Sequence, residues 1–167
     1  MRSKIFLVLG LALTLGPAAS SQTKTSGTLS CGKPDPAYSI EVGDRPGHSV
    51  AISKFVCTWT KPMEYGEVQT KEGYDVAYSD ASGAKVRGSG YHVSNLSNGD
   101  KIYVHFQGND TMMDGKPSTT EGTWSYTGGT GKFKGIKGKG TYKGKADSSG
   151  NMVSEIEGDY ELPTAKK

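Results

Sequence analysis

Hydrophobic and polar residues alternate with a period of two along most of the chain after residue 37. The alternating runs are 38–42, 48–60, 73–80, 84–96, 100–108, 118–127, 137–146 and 152–162. In 100–108, for example, Ile102, Val104 and Phe106 share one face, and Tyr103, His105 and Gln107 share the other. A period of two is the signature of a half-buried strand, and the aliphatic face is the expected core face. No segment after residue 37 carries an apolar pattern of helical period. Turn signals separate the runs: Gly43 to Gly47, Lys71 to Gly73, Ser82-Gly83, Asn98-Gly99, Asp114-Gly115 and Ser148 to Asn151. Each supplies glycine or asparagine at positive φ, or proline at fixed φ. The expected class is all-β. Eight strands on mostly short loops suit an antiparallel meander, which hides its edges best by closing into a barrel. A two-sheet sandwich is the alternative.

The first residues depart from this pattern. Arg2 and Lys4 precede an apolar run at 5–16, and Pro17 to Ser21 supply small residues. That is the grammar of a cleaved secretory signal, and the run is too short to span a bilayer. The expected organisation is a signal at 1–21, an extended polar segment at 22–36 and a barrel domain at 37–163, secreted or periplasmic and without a membrane anchor. Export fits the two cysteines. Cys31 and Cys57 are expected to form a structural disulfide rather than a metal pair, because no close CxxC spacing is present.

Removing the signal also changes the charge. The chain has 20 Lys+Arg against 17 Asp+Glu; without Arg2 and Lys4 the balance is 18 against 17. Net charge therefore gives no support for nucleic acid or an anionic membrane as partner. The lysine-rich stretch 137–145 reads the same way. Lys137, Lys139, Lys143 and Lys145 occupy one strand face, and Glu155, Glu157, Asp159 and Glu161 occupy one face of the next strand. A hairpin folded about Ser148 to Gly150 sets Lys143 against Glu155, Lys139 against Asp159 and Lys137 against Glu161, with Tyr142 against Ile156. Such pairs contribute little energy, but like charges facing each other would be unfavourable, so the pattern selects the register.

The glycine-rich segment before it is not a nucleotide loop. Gly129-Thr130-Gly131-Lys132-Phe133-Lys134 lacks the third glycine of a dinucleotide fingerprint and no helix follows. Gly131-Lys132 is followed by Phe133, where a P-loop needs Ser or Thr. The segment Thr127-Gly128-Gly129-Thr130-Gly131-Lys132-Phe133, continued by Gly135, Ile136, Gly138 and Gly140, resembles instead the GGTG-x-F-x-G-A-x-G segment of the allene oxide cyclase and dirigent barrel superfamily and of its bacterial secreted relatives. It departs at Ile136, where the family usually has a small residue. The resemblance implies an antiparallel eight-stranded meander barrel in which Gly128, Gly129, Gly131, Gly135 and Gly138 form a tight connection and Phe133 plugs the barrel end.

The resemblance also implies chemistry that works by shape and exclusion of water, steering a small apolar or aromatic molecule into one ring closure or coupling without a cofactor. Within such a pocket Glu121 and His105 are the candidate acid–base groups, Tyr103 a polar contact, and Trp59 and Trp124 the walls. Other chemistries lack a signature. His48, His92 and His105 have no metal-ligand spacing, and no GxSxG nucleophile is present. The competing expectation is a filled barrel acting as a non-catalytic interaction or inhibitor module; an oligomer is compatible with either.

Overall fold

A computed structural model describes residues 22–163; the expected signal at 1–21 lies outside them. The strands are β1 (Thr23–Cys31), β2 (Ala37–Glu41), β3 (His48–Lys61), β4 (Glu64–Tyr65), β5 (Val68–Ser82), β6 (Lys85–Leu96), β7 (Lys101–Met113), β8 (Lys116–Gly129), β9 (Lys139–Ala146) and β10 (Met152–Tyr160). A single turn of 3-10 helix, Gly131–Phe133, joins β8 to β9. From β5 to β10 each strand pairs with the next in antiparallel order. β1 lies between β10 and β3, and β3 pairs with β5, so the sheet closes on itself as an eight-stranded antiparallel barrel.

The eight barrel strands are not the eight alternating runs. Thr23–Cys31, within the segment expected to lead into the barrel, is a full barrel strand. The run at 38–42 instead gives β2, a short, wholly exposed addition to the edge of β3. The reason lies in the inward positions of β1: Thr25, Gly27, Leu29 and Cys31. A Cβ on Gly27 would come within 2.9 Å of the Trp59 ring, so the strand must be small where it faces the lumen and reads as polar. Outside, the face of Tyr74, Val76 and Tyr78 points to solvent.

Inward positions are odd on β1 and β3, and even on β6 to β10. At one end the lumen is solid. Tyr65, Ile102, Phe133, Ile136 and Tyr160 are buried there, with the Tyr65 ring edge-on to Phe133 and Tyr160. Phe133 is fully buried, as a plug should be. The turn that delivers it needs Gly131, whose φ of 50° belongs to the left-handed region.

The β9–β10 register is the one that the charge pattern selects. Lys143 faces Glu155, Tyr142 faces Ile156, and Lys137 bridges Glu161. The closest ion pairs run to the outer neighbours instead: Lys143 to Glu121 on β8, and Lys24 on β1 to Asp159, each at 3.8 Å. Exposed pairs at that distance add little stability, so their contribution is to alignment.

Candidate functional site

Above the plug the lumen turns polar. His92 on β6 lies between Asp75 and Ser94, with Nδ1 2.5 Å from Asp75 Oδ1 and Nε2 2.7 Å from Ser94 Oγ. The Trp59 indole N–H donates to the same Ser94 oxygen at 3.0 Å. Ser94 Oγ accepts from Trp59, and the His92 ring bridges Ser94 to Asp75, whose carboxylate accepts from Nδ1–H. Every member is satisfied, and Asp75 is held as an oriented acceptor. Ser94 is completely buried beneath His92 and Trp59, so this Ser–His–Asp order serves as an anchor and not as a nucleophile.

Beyond Asp75, the Cys31–Cys57 disulfide lines the lumen, with Cys31 Sγ 3.7 Å from Asp75 Oδ2. The two sulfurs and the carboxylate cluster at metal-ligand spacing, but each sulfur is already bonded to the other. A second carboxylate, Asp110 on β7, shares the lumen with Thr120 and Tyr142. Burial pushes the Asp110 carboxyl above its usual range, against a hydrogen bond with Thr120 that pulls it down. Burial also raises the Tyr142 hydroxyl, and the nearby charges of Asp110 and, more weakly, Asp75 push it further. Tyr142 is therefore a neutral hydroxyl within the field of two carboxylates. Its ring lies edge-on to Phe106, with centroids 6.4 Å apart. Toward the mouth the inward positions are small and only partly covered: Ala77, Ser79, Gly88, Gly108, Gly122 and Gly144. This end of the lumen thus has aromatic rings below it and two acids on its walls.

The sequence-based candidates divide by strand parity. Trp59 and Trp124 lie in the lumen, both buried. Glu121, His105 and Tyr103 sit at positions that alternate with the lumen face and do not line it. Glu121 is 65% exposed beside Lys143, and His105 meets Ser89 and the ring of Tyr91. Asp110 and Tyr142 had no place among the candidates. The signal for Asp110 was present: the core face of Ile102, Val104 and Phe106 continues through Gly108 to Asp110.

No known family profile matches the chain, and no curated protein does. Among solved structures it is similar to a pterocarpan synthase dirigent protein, at 15% identity over 88% of each chain with a TM-score of 0.49. It is also similar to pyocyanin demethylase, at 17% identity over 80% of this chain and 98% of that one with a TM-score of 0.42. At these identities the likeness is one of fold alone. Among the described residues no helix is long and apolar enough to cross a membrane.

Proposed function

We propose that this is an exported protein that binds a small aromatic molecule in the open end of its lumen and exchanges protons with it, guiding a ring closure or coupling without a cofactor. The observation that carries this reading is that two carboxylates, Asp75 and Asp110, and the Tyr142 hydroxyl all stand at inward positions of the barrel. Carboxylates are unfavourable in a core built only for stability. Asp75, oriented by the imidazole N–H, is the proton acceptor. Asp110, whose carboxyl burial holds in the protonated form to higher pH, is the donor. Tyr142 and Phe106 offer ring faces to an aromatic guest, and the small side chains of Ala77 and Ser79 face the same lumen.

Native mass spectrometry of protein purified from its own source tests this directly, with Ser79→Trp, which fills the mouth, as the comparison. A small molecule that accompanies the native chain and is lost in the variant is expected. Consistent absence, together with no response of the lumen residues to a panel of phenols by NMR, would overturn the reading. It would leave the second one, a non-catalytic interaction or inhibitor module, which draws its support from the solid, aromatic-filled lower lumen.

A further inference from the structure

The barrel closes its own seam but leaves one strand edge undefended. β2 stands at the end of the strand order and, among the described residues, pairs only with β3. Such an edge is usually blunted by lysine, proline, a bulge or extreme shortness. β4, at the other end of the order, has two residues. β2 has five, Ala-Tyr-Ser-Ile-Glu, in unbroken register with Ser49 to Ser53 and with neither lysine nor proline among them. The strand is also held at both ends. Before it, Gly32 and Asp35 donate their N–H groups to the Val56 and Lys54 carbonyls, at 3.0 and 2.7 Å. After it, the turn at 43–47 is fastened to β5: His48 meets both Asp44 and Asp80, and Arg45 Nε donates to Ser82 Oγ at 3.1 Å. An edge fixed in this way has little ordering entropy left to lose when it pairs. Its open side is clear of the barrel as well, since the β1–β10 ladder stops at Cys31 and Met152, before β2 starts.

We infer that this edge pairs with the β2 of a second copy of the chain, antiparallel about a twofold axis through Ser39. The hydrogen bonds to β3 fix which backbone groups are free. Val42 N–H donates to the His48 carbonyl at 2.9 Å, and the Pro36 carbonyl accepts from Lys54 N–H at 3.0 Å, so even positions face β3. By the antiparallel alternation, the N–H and C=O groups of Ala37, Ser39 and Glu41 face the open side. The twofold register sets Ser39 against its own counterpart and each Ala37 against the Glu41 of the other copy. Three such pairs, exchanging two bonds each, give about six hydrogen bonds. Between them fall the pairs whose side chains come closest, Tyr38 of one copy against Ile40 of the other, twice over. These two side chains are 69% and 70% exposed in the single chain. Glu41, the one charged residue of β2, meets alanine and no like charge. A foreign strand would satisfy the same backbone groups, but β2 also complements its own side chains. The outer apolar row of Tyr78, Ile52 and Tyr38 then runs on into Ile40 and Val50 of the second copy. Five residues a side make a small interface, so the dimer is reversible, with a dissociation constant on the order of ten micromolar.

Sedimentation equilibrium of the purified protein, from about 1 to about 500 µM, is expected to show monomer passing into dimer. Ser39→Pro removes the central N–H of the open edge, which takes no part in the β2–β3 ladder, and proline is tolerated on edge strands. It is expected to weaken the dimer about tenfold or more while the amide spectrum of β5 to β10 is kept. Ser39→Lys and Ser39→Glu each set like charges across the axis and are expected to weaken it to a similar degree. An equimolar mixture of these two variants is expected to dimerise again, because opposite charges then meet. Damage to the fold would not be repaired by mixing. Monomer at every concentration, a dimer indifferent to Ser39→Pro, or a mixture of the two charged variants that associates no more tightly than either alone would each overturn the proposal.

Discussion

Asp110 shows how much a single inward position can hold. Because burial raises its carboxyl in the folded state, the native protein keeps a proton that the unfolded chain has released. Stability is therefore highest below the unfolded pKa, falls as pH climbs toward the folded one, and stays reduced above it. Asp110→Asn removes the charge that burial penalises. The variant is expected to melt a few degrees higher than the native chain at pH 7 and about the same at pH 3, where both states of the native chain carry the proton. A larger gain at pH 3 than at pH 7 would contradict this account. The same residue marks the limit of reading sites by residue type. Glu121 and His105 are chemically apt, but strand parity puts them outside, and parity is legible in the sequence. The anchor of Asp75, His92, Ser94 and Trp59 is not, since it joins three strands whose relative stagger only the closed barrel sets.

At the scale of elements, the sequence carried most where a pattern had two sides. Opposite charges on 137–145 and 155–161 specify one register, and β9 and β10 adopt it. One-sided patterns misled. β1 looks like a linker because its lumen face is small, and β2 looks like a barrel strand because Tyr38 and Ile40 alternate, although both are exposed. Pairing each glycine with a side chain on another strand depends on shear, and no local pattern encodes it. Gly140→Ala tests that pairing. Its Cβ would meet the Glu157 carbonyl oxygen and the Trp124 ring, and the expected loss is about 2 kcal/mol or more in chemical denaturation. Lys143→Ala, by contrast, should cost no more than about 0.5 kcal/mol, because its ion pair is exposed. Equal losses from the two substitutions would mean that the ring behind Gly140 does not constrain the wall.

For the molecule as a whole, the seam between β1 and β3 is the weak closure. It has four register pairs and an irregularity between Thr28 and Leu29, while β1 pairs with β10 over its full length. The Cys31–Cys57 disulfide sits at one end of this seam, where the two cysteines are direct strand partners. A Cys31→Ala, Cys57→Ala double variant is expected to lose about 3 kcal/mol. Its amide exchange should accelerate first in β1, while β7 and β8 keep their protection. Uniform acceleration across the barrel would show that the bridge stabilises the whole chain and not the seam.

The position of β1 also orders assembly in time. The first strand of the barrel to be synthesised is flanked by the last, so its longer ladder must wait for the end of the chain and bears the largest loop-closure entropy. Its shorter ladder, to β3, needs only the first third of the chain. Oxidation can lock that partial pairing early and leave β10 to slot into a gap whose far side is already held. The bridge then acts as a placeholder, keeping one exposed strand edge in position until the other end of the polypeptide arrives.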